Sequence, residues 1–160
     1  MKLLRETTMF RPSQVSKGTL DSWKELRVFP RAIDGYAFAA AFAIRERFPI
    51  EDVKITKRTD LYEVGALEIK IRRSLEAGVH AARKSAGLPA AASDEEVFEL
   101  VSRYAEIGVA HLNERWKGKS KSQILEDIRE LVAPDRTGGA SGPGTSRISQ
   151  GDGPPTASPA

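Results

Sequence analysis

The side chains that most often carry enzyme chemistry are few and scattered in this sequence. Among its 160 residues there are two histidines and no cysteine. His80 and His111 fall within helical patterns, and neither has a second histidine or an acid four residues further on to complete a metal site. The acids of segment 94–96 suit a helix N-terminus without any catalytic role. We therefore expect no catalytic centre, no metal site and no cofactor; the alternative is a small enzyme with a dispersed site.

The densest group of cations surrounds a short turn between two predicted helices, at residues 115–121. A new helix begins where this turn ends, and the free backbone N–H groups of a helix N-terminus suit a phosphate. The pattern predicts a face that contacts the phosphates of nucleic acid. A solvated surface is the alternative, because lysine near a helix C-terminus is also stabilising. The predicted phosphate contacts are the four cations of this turn and two arginines of an earlier helix: Arg115, Lys117, Lys119, Lys121, Arg72 and Arg73.

Two tryptophans are candidates for contact with a protein partner. Trp116 lies at the end of a predicted helix beside lysines, where a large ring can anchor an interface, and Trp23 lies in an earlier predicted helix. The alternative for both rings is packing in the core or at a helix end.

The composition is that of a globular protein, and its small positive net charge permits nucleic-acid binding but does not require it. Hydrophobic residues make up 40% of the chain and charged residues 29%, and the formal net charge is +3. Residues 1–6 contain no apolar signal core, and the longest apolar run, 36–44, is far shorter than the roughly 20 residues of a membrane span. The lack of cysteine fits a reducing compartment. We expect a cytoplasmic protein that does not enter a membrane.

The chain divides by composition into an arm, a helical domain and a tail. Residues 1–18 show no clear pattern and are expected to form an extended arm, and residues 19–133 are expected to form the helical domain. From 134 to 160 the chain consists mainly of Gly, Ser, Pro, Thr and Ala, with Ile148 as its only large apolar residue. Such a segment buries too little apolar surface to offset the entropy of ordering its backbone, so we expect a disordered tail.

Apolar periodicity and capping residues predict a compact all-α bundle of about five helices. Thr19 and Asp60 are the expected N-caps of the first and third helices, and capping boxes at Ser93 and Ser120 open the last two. The alternation within 67–71 would also suit a strand, but the helical pattern continues well beyond the usual length of a strand. The predicted helices span residues 20–28, 31–48, 61–85, 94–116 and 120–132.

The composition of the second predicted helix indicates that it lies at the centre of the fold. Residues 36–44 are apolar on nearly every side, and a helix of this kind is normally buried between others. Its many alanines indicate that a neighbouring helix approaches closely.

Two stretches resemble small accessory proteins of bacterial DNA phosphorothioation (Dnd) defence systems. Residues 34–44 read DGYAFAAAFAI and resemble that family's Asp-x-(aromatic/aliphatic)-x-Phe-Ala-Ala-x-hydrophobic-Gly segment. Phe98, Tyr104, Ala105 and Gly108 are similar to its Phe-Glu-x-Tyr-Ala-x-x-Gly segment near the C-terminus. The spacing here is looser, and the family's glycine after the apolar run is absent.

The resemblance implies a non-enzymatic accessory subunit of an anti-phage or DNA-modification complex. Such a subunit would bind larger protein subunits through its helices, and DNA through its basic turn. Three alternatives stay open: a helix-turn-helix DNA-binding regulator, the small enzyme already mentioned, and a self-assembling scaffold. The first is disfavoured by the acidic final predicted helix, which contains Glu126, Asp127 and Glu130.

Overall fold

The structure of the protein, a computed structural model, describes residues 4–134 and confirms the predicted all-α bundle. A short 3-10 turn, Val64–Ala66, precedes the third helix, and no strand is found in residues 4–134. The predicted disordered tail lies outside the described residues, apart from Pro134. The five helices are α1 Gln14–Glu25, α2 Ala32–Arg45, α3 Ile69–Ser85, α4 Asp94–Trp116 and α5 Lys121–Val132.

Helix α2 crosses α4 at the centre of the bundle, and the small residues of α2 make the crossing close. Ala39, Ala40 and Ala43 have no solvent exposure. Gly108 of α4 lies so close to α2 that a Cβ atom on it would stand 2.0 Å from the carbonyl oxygen of Ala39. The close helix–helix approach predicted from the alanines is therefore confirmed.

Helix α1 begins at Gln14, earlier than predicted, because a different residue caps it. Ser13 is the N-cap and its hydroxyl accepts a hydrogen bond from the backbone N–H of Ser16, so the predicted cap at Thr19 is wrong. Glu106 of α4 accepts hydrogen bonds from Ser13 N at 2.7 Å and from the Ser16 hydroxyl at 2.6 Å. The last residues of the predicted arm, 14–18, thus belong to a helix that α4 holds in place.

Helix α3 begins at Ile69, so the prediction that it starts after Asp60 is wrong. Residues 57–65 instead run antiparallel to residues 6–14, with Phe10 N donating to Tyr62 O at 2.9 Å and Leu61 N to Phe10 O at 3.0 Å. These bonds hold the backbone extended and compete with a helical conformation. Within the ambiguous segment 67–71, the helix begins at the third residue.

Helices α4 and α5 begin at the predicted N-caps, with a complete capping box at Ser120; at Ser93 the box is incomplete, because the Glu96 carboxylate accepts from Ala92 N instead of Ser93 N. The Ser93 hydroxyl accepts from Glu96 N at 3.1 Å. Ser120 N donates to the Gln123 side chain at 2.8 Å, and the Ser120 hydroxyl accepts from Gln123 N at 3.3 Å. The turn between these two helices is therefore fixed at its α5 end.

Candidate protein-binding groove

The two tryptophans proposed as interface residues lie in the core. Trp23 and Trp116 are 4% and 3% exposed, and their ring centroids are 4.9 Å apart in an edge-to-face arrangement. Phe29 and Phe38 lie against Trp116. Because these rings are almost fully enclosed, they stabilise the bundle and offer almost no surface to a partner.

Arg115, the first of the predicted phosphate contacts, is engaged in a contact between helices. Its guanidinium donates two hydrogen bonds of 2.6 Å to the carboxylate of Asp127 on α5, and Trp116 Nε1 donates a third of 2.7 Å. The hydrogen bonds from Arg115, helped by that from Trp116, lower the pKa of Asp127 to about 2 against the opposing effect of burial. The pair with Asp127 also raises the pKa of Arg115. This residue therefore holds α4 to α5.

The other predicted phosphate contacts divide into buried and exposed cations. Arg72 is buried, and its guanidinium forms an ion pair with Glu6 at 3.0 Å, whereas Arg73 on the same helix is exposed. The lysines of the turn at 117, 119 and 121 are exposed, and none forms an ion pair with an acid of residues 4–134. Of these other predicted contacts, the three lysines and Arg73 have the exposure that a phosphate contact requires, and Arg72 does not.

The outer side of α2 forms an apolar groove that the sequence did not reveal. Phe38, Ala41 and Ile44 of α2 face Ile71 and Leu75 of α3 across an open hollow of about 540 Å³. Ile71 is 37% exposed, although it belongs to a helix with apolar residues at helical spacing. The bundle thus leaves a strip of its most apolar helix uncovered.

The same strip continues toward the end of α5. A second hollow of about 260 Å³ lies between α2 and the side chains of Leu131 and Val132, and Val132 is 63% exposed. The Arg45 guanidinium donates to the Leu131 carbonyl and so connects α2 to the end of α5. We call the two hollows together the α2 groove, lined by Phe38, Ala41, Phe42, Ile44, Ile71, Leu75, Leu131 and Val132.

The rim of the α2 groove carries more positive than negative charge. Arg45 and Lys70 line the larger hollow, and Arg47 lies just beyond Ile44 in an adjoining one. The one acid among the residues lining the two hollows of the groove is Asp34, which forms a 2.8 Å ion pair with Arg31. A ligand in this groove would therefore meet an apolar floor between cationic edges.

None of the helices in residues 4–134 has the length and hydrophobicity of a bilayer-spanning segment. Within the same range, no three His, Cys, Asp or Glu side chains are arranged to hold a metal ion. Comparison with protein-family models, curated proteins and solved structures found no match to this chain.

Proposed function

We propose that the chain is a non-enzymatic adaptor subunit that binds a helical segment of a larger protein in the α2 groove. The observation that carries this proposal is the uncovered apolar strip on α2 between α3 and α5. Contiguous exposed apolar surface of this kind is typical of partner-binding sites. From the resemblance of residues 34–44 and 98–108 to Dnd accessory proteins, we further propose a cytoplasmic role in a bacterial DNA-modification or anti-phage complex.

The groove has the shape and charge to accept an amphipathic helix with acidic flanks. Amphipathic helices bind in grooves between helices through apolar side chains at intervals of three and four residues. Three such side chains, each stabilised by about 2 kcal/mol on burial, would contribute about 6 kcal/mol, so the affinity left after the cost of association also depends on the charged flanks. Acidic flanking residues would lie near Arg47 and Lys70.

Replacing Ala41 with glutamate is expected to abolish this binding without unfolding the domain. Ala41 is exposed on the floor of the groove, so the new carboxylate would occupy the apolar site at little cost to stability. Binding is measured by fluorescence anisotropy with a labelled amphipathic helix bearing acidic flanks. A peptide of the same apolar face with basic flanks serves as the comparison. The reference is the affinity of the unaltered protein for the acidic peptide. We expect Ala41→Glu to bind the acidic peptide at least tenfold more weakly than this, and the unaltered protein to bind the basic peptide at least tenfold more weakly.

The matched control is Ala110→Glu, the same change at an exposed position of α4 that does not line the groove. This control should bind the acidic peptide as the unaltered protein does. If both glutamate variants bind equally well, or if the peptide binds with no preference for acidic flanks, the α2 groove is not the binding site.

A second proposed activity is contact with the DNA backbone through the exposed lysines of the α4–α5 turn. Lys117→Gln with Lys119→Gln should weaken binding of a DNA duplex and lower the slope of log affinity against log salt by about 2. The control pair, Lys24→Gln with Lys54→Gln, removes the same charge from other exposed positions and should change this slope less. Equal slopes for the two double variants would exclude the turn as a specific contact.

A helix-turn-helix mode of DNA binding is less consistent with these surfaces. Helix α5 would have to enter the major groove, yet Glu126 and Glu130 are exposed on it. Carboxylates at these positions would face phosphates or base edges with the wrong charge. We therefore place any DNA contact on the turn and not on α5.

A further inference from the structure

Helix α3 carries a buried carboxylate with one oxygen that has no hydrogen-bond partner in residues 4–134. Glu76 is 2% exposed, and its Oε2 atom is fully enclosed without a hydrogen-bond donor in the described part of the chain. The side chain lines a cleft of about 400 Å³ between α3 and the first turn of α4. This cleft is separate from the α2 groove, with which it shares no lining residue.

A carboxylate in this position is costly unless something pairs with it. Removing an ionised carboxyl group from water is strongly unfavourable when no cation or hydrogen-bond donor replaces the lost hydration. Arg72 and Arg73 precede Glu76 by one turn of α3. Arg73 is exposed, and the Arg72 guanidinium pairs with Glu6 at 3.0 Å while its buried Nε has no hydrogen-bond partner in residues 4–134. Arg5, at the wall of the cleft, pairs with Glu95 at 3.6 Å. None of these arginines forms an ion pair with Glu76.

The other groups around the cleft favour a positively charged ligand with a short apolar stem. Asp94 adds a carboxylate at the start of α4, and His80 lies one turn after Glu76 on α3. Ala91 and Val97 provide apolar wall. The acidic groups are not arranged to hold a metal ion. An organic cation can donate hydrogen bonds to Glu76 while its stem contacts the apolar wall.

We propose that this cleft binds a primary ammonium or guanidinium group, with Glu76 as its counter-ion and hydrogen-bond acceptor. A small amine and the lysine or arginine side chain of another protein share this chemistry. The cleft is not required for partner binding in the α2 groove, so the two proposals succeed or fail separately.

The test is a titration of the ¹⁵N-labelled full chain followed by amide chemical shifts at constant ionic strength. The free-ligand probes are n-butylammonium and propylguanidinium, each compared with the neutral n-butanol. The peptide probe is a capped Gly-Lys-Gly, compared with its acetyl-lysine form. We expect saturable shifts around residues 76–80 and 91–97 with the charged probes and none with the neutral ones. Tighter binding of the amine indicates a small-molecule ligand, and tighter binding of the peptide indicates a protein side chain.

Two variants separate binding from folding. Glu76→Gln keeps the shape of the side chain and should weaken binding of the charged probes at least tenfold. Ala91→Leu should block the cleft while leaving Glu76 in place. Glu114→Gln, an exposed change of the same kind on α4, should bind as the unaltered protein does. Absence of saturable shifts in the unaltered chain, equal response to neutral probes, or undiminished binding by folded Glu76→Gln would overturn the proposal.

Discussion

Gly108→Ala is expected to destabilise the domain by about 3 kcal/mol or more, the largest effect that we predict for a single methyl group. The new Cβ atom would lie 2.0 Å from the carbonyl oxygen of Ala39, well inside van der Waals contact. That oxygen belongs to the backbone of α2, so no side-chain rotation can relieve the clash. The two central helices would have to separate, and the buried Ala105 and Val109 on either side of Gly108 would lose their contacts.

Urea unfolding of Gly108→Ala, followed by circular dichroism, measures this loss. Gly18→Ala is the control, because Gly18 lies within α1 and a Cβ atom there would meet no atom within 4 Å. The control should be stabilised by up to about 1 kcal/mol, since alanine is the better helix former. Similar stabilities of the two variants would mean that α2 and α4 do not cross as closely as described.

Asp127→Asn is expected to cost about 2–3 kcal/mol, because it breaks the contact that holds α5 against α4. Asp127 is buried and accepts hydrogen bonds from both Arg115 and Trp116. An amide in its place offers one acceptor oxygen and no negative charge. Arg115 is 43% exposed, so water can partly replace its lost partner, which keeps the expected cost below that of a fully buried pair.

The pH dependence of stability distinguishes this contact from a purely steric effect. The pKa of Asp127 is lowered from 3.8 to about 2 in the folded state. The carboxylate therefore stabilises the fold above pH 4, and this contribution, on the order of 2 kcal/mol, is lost as the pH falls through the folded pKa. The difference in unfolding free energy between the unaltered protein and Asp127→Asn should shrink from pH 6 to pH 3 and below.

The control is Asp21→Asn, which alters a surface pair with Lys17 and should change the unfolding free energy by about 0.5 kcal/mol at most. A pH-independent difference for Asp127→Asn would exclude the charged contact.

Local signals in the sequence were sufficient for α4 and α5. Each begins at a serine whose hydroxyl accepts from a backbone N–H three residues later, and each has apolar residues at helical spacing after it. Because these interactions join residues within one turn of the chain, they can be predicted from the local sequence.

The starts of α1 and α3 depend on contacts between distant parts of the chain. The N-terminus of α1 is held by Glu106, which is 93 residues from Ser13. Residues before α3 are extended because they pair with residues 6–14. Helical periodicity contains no information on either contact, so the prediction placed both starts at the nearest plausible caps, Thr19 and Asp60.

The candidate sites were the least accessible to prediction. The contact between Arg115 and Asp127 joins two helices across 12 positions, and nothing local showed that this arginine is engaged. Helix α2 is apolar on nearly every side, so its sequence does not show which side the neighbouring helices leave exposed. The position of the α2 groove is set by how those helices pack. The burial of Glu76 likewise follows from the packing around α3 and is not visible in its neighbours along the chain.

The central proposal, a partner helix bound in the α2 groove, is tested most directly by site-specific photo-crosslinking in the native host. A photoreactive residue replaces Ala41 in one version of the full chain and Ala110 in the other, and crosslinked proteins are identified by mass spectrometry. We expect position 41, and not position 110, to crosslink to a larger protein through an amphipathic segment with acidic flanks. Crosslinking of both positions to the same proteins, of position 41 only to a second copy of this chain, or of position 41 to no protein would contradict the proposal.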